Sequence, residues 1–547
     1  MESFEKSLEK EFNYLNSLLD DQISVSLLVH FIRTLDYLFI GKYDQKEKWD
    51  LYMNYGFPQI LNRAYQKLDL NYDFLRKFQT NQSDFDYCFY NLKVYGQYRM
   101  VERFSEMAFQ NLATIKIKKT DEYIVEVDSN LVATDKYEMI QFESYFQEKR
   151  KLYDISNEKS RYWDKKIKDK FKKKIFVGHY NYIGYGTTPE IDDHYSIKGH
   201  IHLHTSQLFD DFDENFEFGG IPYKQHVNVV KDLMGVALKH VDACCLLYEN
   251  KNANMIDLLP TCDIQETIID QYADYLQIPI NNIREIFELL TVTPENIHHY
   301  LKADKSFSPP FIKISNLYTL RSIKGCLYHP ITFLQKSLSI KYPADYSRGL
   351  NMREDKFRNE LYSLFKEERI IKINRSVKIK IKSEGIDTDI DAALFDPKKK
   401  HLALIQLKWQ DKYSTNLKER NSRSKNLCNM ANEWIDKIVR WKDITNQKEI
   451  LNALGIHEYK NFDNCSIFVI GRYNTHFSDK EINENATWGS WYHILALNKL
   501  KSNLDDPILE LKLKLETDSP RNKNIKIDEE QISLHTFKIG CKTKPTL

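Results

Sequence analysis

Four polar residues in the last third of the chain could do chemistry together. Asp389 and Asp391 lie in the segment TDIDAALF, and Gln406 and Lys408 lie in HLALIQLKW, with the turn-like DPKKK between the two segments. Gln406 and Lys408 are separated by one position, so they point to the same side of a strand. A buried lysine or glutamine costs several kcal/mol unless it has a partner. The aspartates of the paired strand are the obvious partners, although an ordinary hairpin with charges on its solvent side is the alternative.

The flanking sequence predicts the elements that would position this hairpin. Phe357, Leu361 and Leu364 form one helical stripe, and Glu360 falls on it. SVKIKIK alternates as a half-buried strand, TDIDAALF is a second strand, and HLALIQLKW is apolar enough to be a central third strand. An amphipathic helix around Leu427 to Val439 and the strand NCSIFVIGR follow. The predicted order is helix, three strands, helix, strand.

Glu360 on the first helix, Asp391 on the second strand and Gln406-Leu407-Lys408 on the third resemble the PD-(D/E)xK nuclease superfamily, the restriction-endonuclease-like fold. Within it, the glutamine in place of the usual glutamate is similar to the Mrr-like subgroup. The resemblance implies that Asp391, Gln406, Glu360 and the Leu407 carbonyl hold Mg²⁺, with Mn²⁺ as a substitute, and that Lys408 orients or activates the attacking water. Asp389 is an additional candidate ligand.

The residue types suit that chemistry. Cleavage of a phosphodiester needs charge neutralisation on the phosphate and a nucleophilic water, and a hard cation held by oxygen ligands supplies both. Asp391 offers a carboxylate, Gln406 a neutral amide oxygen and Glu360 a second carboxylate through water, while Lys408 would stabilise developing negative charge. We therefore expect a metal-dependent endonuclease, a phosphodiester hydrolase. A nucleic-acid-binding or scaffold protein that keeps the fold without catalysis is the alternative.

A local basic surround fits a nucleic-acid partner. From Arg369 to Lys425 there are fifteen Lys or Arg and seven Asp or Glu, so a small acidic centre sits in a positive field. Lys378, Lys380 and Lys412 are the candidate phosphate contacts, although strand edges protected by lysines would look the same. DNA rather than RNA is the expected substrate. The resemblance further implies restriction or antiviral defence and allows a homodimer.

The rest of the chain predicts a larger, mostly helical region. We expect a multidomain α+β/α/β protein with a helical recognition, regulatory or partner-binding region over 1–345, divided near 150–195, a nuclease-like domain over 346–500 and a peripheral C-terminal extension over 501–547. In HIHLHTS the alternation predicts a strand with His200, His202 and His204 on one face. Three imidazoles on one face raise a further hypothesis, a separate metal site there, and a polar strand face with partly solvated histidines is the alternative.

Composition limits the class of protein. The chain has 547 residues, 79 basic and 78 acidic, so any nucleic-acid surface must be local. Its eight cysteines include no CxxC pair, which argues against a disulfide framework or a zinc ribbon. The charged start MESFEKSLEKEF lacks the apolar core of a signal peptide, and the sequence has no uncharged run of about 18 residues. We expect a cytoplasmic protein without a membrane partner.

Overall fold

A computed structural model describes residues 2–41, 49–71, 79–153, 158–177, 183–249, 254–301, 308–409, 417–473, 475–476, 481–496, 505–520 and 530–544. It is a mixed α/β structure rich in helices, with several small sheets. Lys412, a candidate phosphate contact, lies outside the described residues. The predicted mixture of helices and sheets is confirmed.

The elements are numbered in chain order. Helices α1 to α19 span Glu2–Asp20, Val25–Ile40, Trp49–Lys67, Gln82–Phe109, Ser129–Leu152, Glu158–Lys172, Pro189–Ser206, Tyr223–Glu249, Met255–Leu258, Gln265–Leu276, Ile280–Leu289, Ile323–Leu327, Pro330–Lys341, Pro343–Asn351, Arg353–Ser363, Leu417–Ile444, Gln447–Ala453, Trp491–Ala496 and Pro507–Thr517. Strands β1 to β19 span Ala113–Lys119, Glu122–Val127, Ile175–Val177, Ile183–Tyr185, Glu217–Phe218, Ile221–Pro222, Thr261–Ile264, Thr291–Val292, Phe311–Lys313, Tyr318–Arg321, Ile371–Lys372, Val377–Ile381, Ile386–Ile390, Ala392–Asp396, His401–Lys408, Asn464–Gly471, Thr487–Ser490, Glu530–Ser533 and Lys538–Thr543.

A five-stranded mixed sheet, in the order β11-β14-β15-β16-β17, is the centre of the C-terminal part. Strand β15 is central, antiparallel to β14 and parallel to β16. Its side chains enter two cores because they alternate between the faces of the sheet. Leu402 and Leu404 pack with Trp434 and Ile435 of α16. The opposite face carries a second core, in which Ala403 and Ile405 of β15 pack with Phe357 and Leu361 of α15.

The elements around this sheet follow the predicted order only in part, because five strands and not three lie between α15 and α16. Helix α15 is followed by β11 and β12, by β13 and β14, by β15, by α16 and α17, and then by β16. Strand β12 pairs with β13 in a separate two-stranded sheet, and its burial alternates as the sequence predicts. The second predicted strand is interrupted, because Asp391 belongs to neither β13 nor β14. That interruption matters for the candidate site.

The residues after 500, expected to form a peripheral extension, are integral to the structure. Ile508, Leu511 and Leu515 of α19 pack in the core on the α15 side of the central sheet. Strand β19 pairs in parallel with β2, so β18 and β19 complete a four-stranded sheet whose first strand begins at residue 113. Glu11, fully buried, accepts hydrogen bonds from the main chain and side chains of His535 and Thr536. The prediction of a peripheral tail is wrong for these segments.

The histidine-rich segment is a helix, and the predicted strand is wrong. Helix α7 begins at Pro189, with Glu190 and Asp192 in its first turn, and runs through Ser206. These are favourable helix-start signals, which outweigh the short alternation of HIHLHTS.

Helical geometry separates the three histidines. His200 and His204 are one turn apart, with ring centroids 4.2 Å from each other, whereas His202 contacts the Leu327 carbonyl at 3.0 Å. They therefore do not share one face, which removes the basis of the three-histidine metal site. Burial lowers the pKa of His204 to about 4, so this pair is largely neutral at pH 7.

Among the described residues, no single helix is long and apolar enough to span a membrane. Helices α1 and α2 reach that length and apolarity only as a pair, across a bend of 112°.

Candidate active site

The interruption of the second strand at Asp391 creates the candidate site. Asp391 is 2% exposed and lies between β13 and β14, opposite the end of β15. Its Oδ2 accepts a hydrogen bond from the Leu407 amide at 2.8 Å and a second one from the Gln406 side chain. The carboxylate therefore caps the last residues of the central strand instead of continuing the ladder.

Three side chains from two helices hold this interruption in place. Arg358 of α15 donates from Nε to the Asp391 carbonyl. The Tyr362 hydroxyl, also on α15, accepts from the Ala393 amide at 3.0 Å and donates to the Ile373 carbonyl at 2.6 Å. On the other side, Trp434 of α16 donates its indole N–H to the Asp389 carbonyl at 2.6 Å. Backbone groups around the break are thereby paired, as buried polar groups must be.

Lys408 ends β15 and is half-buried. The two-residue period that places Gln406 with Leu402 and Leu404 on the α16 side also places Lys408 there. The charge of Lys408 favours the ionised form of Asp391, so the two groups interact electrostatically. The structure thus brings together Asp391, Gln406, Leu407 and Lys408, as the sequence predicted.

Burial sets the charge state of Asp391. Desolvation raises the pKa of its carboxyl to about 6, and the negative charges of Asp389 and Glu354 push in the same direction. The Leu407 amide and Lys408 oppose this rise. A carboxyl group whose surroundings bring its pKa this close to neutral pH is typical of functional sites, although structural networks also produce such a pKa.

Glu360 does not join this group. It is half-buried and pairs with Nη1 of Arg472, whose Nη2 lies 2.6 Å from Asp210. A carboxylate paired with a buried guanidinium has its charge largely balanced. The prediction of Glu360 as a ligand near Asp391 is therefore not supported by the geometry.

Glu354 is the acidic residue of α15 whose charge bears on Asp391, and the sequence reasoning missed it. It lies in the first turn of α15 and is exposed. A signal was available, because a carboxylate in the first turn is stabilised by the helix dipole while remaining open to a ligand. The sequence pattern favours Glu360 instead because that residue falls on the apolar stripe of the helix.

The remaining candidate residues are peripheral to the buried centre. Asp389 is exposed, so the interruption at Asp391 separates the environments of the two aspartates that were expected to share a face. Lys378 and Lys380 are exposed on β12, and Lys380 lies 3.1 Å from Asp387. These lysines could meet a phosphate backbone only at the outer edge of the small β12-β13 sheet.

The donor types at the centre fit a hard divalent cation in part. Asp391 and Gln406 bring a carboxylate and an amide group into contact, and the adjacent Leu407 would add a main-chain carbonyl, which together is the ligand chemistry Mg²⁺ prefers. The Gln406 amide presents its NH₂ end to Asp391, so it would have to rotate to offer Oε1. Within the described part of the chain, no three or more His, Cys, Asp or Glu side chains converge as a metal site. Any such site would rest on one buried carboxylate and neutral donors.

Comparisons with known proteins add no family. No protein-family model, no curated protein sequence and no solved structure matches the chain.

Proposed function

We propose that the C-terminal sheet carries a Mg²⁺-dependent nuclease site that cleaves phosphodiester bonds, with DNA as the expected substrate. The observation that carries this proposal is the buried Asp391 carboxylate at the strand interruption, bonded to both Gln406 and Leu407 with Lys408 beside it. The site lies at the carboxyl ends of the parallel strands β15 and β16, an edge where α/β sheets commonly bind ligands.

The roles follow from the chemistry of each group. Asp391, Gln406 and the Leu407 carbonyl would hold Mg²⁺, which supplies a Lewis acid and a more acidic water when bound. Lys408 would stabilise negative charge on the phosphate oxygens. Arg358 and Tyr362 act as positioning residues, because they hold the interruption that places the Asp391 carboxylate.

The proposal is tested by incubating the full-length protein with plasmid DNA, single-stranded DNA and single-stranded RNA, each with Mg²⁺, Mn²⁺ or EDTA. We expect cleavage of DNA that depends on the metal and is lost in Lys408→Ala, while DNA binding by that variant stays within about threefold of wild type, because one of many cationic contacts is removed. Metal-dependent cleavage that Lys408→Ala leaves unchanged would contradict the proposed site.

The alternative is a protein that binds nucleic acid without cutting it. The Glu360 ion pair favours this alternative, because it removes one expected acidic ligand. DNA binding with no cleavage under any metal condition, in wild type as in the variants, would support this alternative over the nuclease proposal.

Two glutamates on α15 provide a matched comparison. We expect Glu354→Gln to weaken Mg²⁺-dependent cleavage by about tenfold and to raise the metal concentration required, because it removes a charge that acts on the Asp391 site. Glu360→Gln should leave that metal requirement within about twofold and instead lower stability by about 1–2 kcal/mol, because Arg472 loses a charged partner. Metal titrations of cleavage and urea unfolding of both variants measure the two effects. The reverse pattern would return the ligand role to Glu360.

A further inference from the structure

A separate cavity of about 320 Å³ lies in the helical region, away from the residues of the central sheet. Helices α7, α8 and α10 line most of it, with the end of β10. Its walls are close together because α7 and α8 touch along their backbones: a Cβ on Gly235 would lie 2.6 Å from the Tyr195 carbonyl oxygen. The volume is in the range of small-molecule sites.

Asp232 is the unexplained group in this cavity. It lines the cavity, is 5% exposed, and makes no hydrogen bond or ion pair with the described residues. Burial raises the pKa of this carboxyl to about 6, while the charges of Lys239 and Lys231 oppose the rise, so at pH 7 it is mostly ionised without a direct hydrogen-bond donor. A buried charge of this kind is costly unless something donates to it.

Two donor groups lie in the wall of the same cavity. The Nε of Arg321 and the hydroxyl of Tyr272, a residue 8% exposed, are buried without a well-formed hydrogen bond, and the two side chains interact with each other. Lys239, also in the wall, already forms an ion pair, because its ammonium nitrogen lies 2.7 Å from the Asp192 carboxylate. The cavity therefore presents one carboxylate without a hydrogen-bond donor, and two donor side chains are buried in the wall beside it.

The remaining wall favours a flat ligand of little negative charge. Tyr185, Tyr195 and Tyr275 line the cavity with Tyr272, and aromatic side chains stack on nucleobases of any sequence. Three aspartates, Asp192, Asp232 and Asp263, face it against two cations, Lys239 and Arg321, so the walls do not favour a polyphosphate.

We propose that this cavity binds a guanine base, as the free base or the nucleoside. Guanine presents N1–H and N2–H side by side, which match the two oxygens of the Asp232 carboxylate, and it carries O6 and N7 as acceptors for Arg321 and Tyr272. Adenine lacks the paired donors on one edge, and cytosine offers a single amino group. The carboxylate therefore selects guanine among the bases.

The test is calorimetric titration of the full-length protein with guanosine, adenosine and cytidine, together with the thermal shift each causes. The measurement omits divalent metal, so its result does not depend on whether the chain cleaves DNA. We expect guanosine to bind at least about tenfold more tightly than the other two, because unmatched polar groups would stay buried in their complexes. Equal binding of adenosine, tighter binding of a free amino acid, or no binding of guanosine at millimolar concentration would overturn the proposal.

Matched variants assign the recognition to Asp232. Asp232→Asn should weaken guanosine binding by about tenfold or more, because one carboxylate oxygen is replaced by a donor. Asp263→Asn makes the same chemical change at an exposed wall residue and should stay within about twofold of wild type. Tyr272→Phe should weaken binding by about threefold, and since its hydroxyl makes no well-formed hydrogen bond the variant should fold normally. Unchanged guanosine affinity in Asp232→Asn and Tyr272→Phe would contradict the assignment.

Discussion

Asp391→Asn is expected to reduce Mg²⁺-dependent DNA cleavage by about a thousandfold, because asparagine removes the one buried carboxylate among the proposed metal ligands. The asparagine side chain can still accept from the Leu407 amide, so the strand end should keep its geometry. Initial cleavage rates at saturating DNA, measured over a series of Mg²⁺ concentrations, give the size of the loss.

The same substitution should stabilise the metal-free protein, which separates loss of chemistry from loss of folding. The pKa of the Asp391 carboxyl is about 6 in the folded chain against 3.8 for an ordinary aspartate. The folded state therefore holds the proton more tightly than the unfolded state, and stability falls as the pH rises from about 4 to 6. At pH 7 the penalty is about 3 kcal/mol, of which we expect Asn to recover about 2 kcal/mol.

Urea unfolding in EDTA at pH 4.5 and pH 7 measures this effect, and Asp389→Asn is the matched control. Asp389 lies two residues away and is exposed, so its substitution should change the free energy of unfolding by less than about 0.5 kcal/mol. A less stable Asp391→Asn at pH 7 would mean that Asp391 is a structural ion held by its hydrogen bonds. An undiminished cleavage rate would remove it from the active site.

The central strand and its neighbours could be predicted because their pattern has one physical cause. Strand β15 is buried on both faces, so nearly every position from His401 to Leu407 must be apolar or paired, and Gln406 stands out as a residue that needs a partner. The helical spacing of apolar residues in α16 predicts that element just as directly, and Trp434 and Ile435 face the sheet. Short-range periodicity is sufficient to predict these elements.

Glu360 shows where the same reasoning fails. Its position on an apolar stripe indicates that it faces inward, but not which partner it meets there. The partner, Arg472, is 112 residues further along the chain and follows the end of β16. The clue was similar to the one that identified Lys408, a charged residue at the end of an apolar strand. Pairing across such a distance depends on the topology of the sheet, which the sequence pattern does not specify.

Arg472 joins the helical region to the central sheet. It is 1% exposed, and its guanidinium lies over the Trp409 ring at 4.2 Å. Its forked end meets Glu360 on α15 and Asp210 in the loop after α7, and its amide donates to the Lys408 carbonyl at 2.7 Å. Next to it, the Tyr473 hydroxyl donates to Asp211 at 2.7 Å. The loop at 210–211 is thereby attached beside the end of β15.

Arg472→Met is expected to lower the free energy of unfolding by about 3 kcal/mol, because Glu360 and Asp210 are left facing an apolar side chain without a counter-charge. Arg472→Lys keeps the charge but cannot fork to two carboxylates, so it should lose roughly half as much. Urea unfolding gives both values, and hydrogen exchange should show faster exchange at the Asp210 and Asp211 amides in Arg472→Met. If Arg472→Met together with Glu360→Gln and Asp210→Asn were no more stable than Arg472→Met alone, the loss would come from packing over Trp409 and not from the unpaired carboxylates.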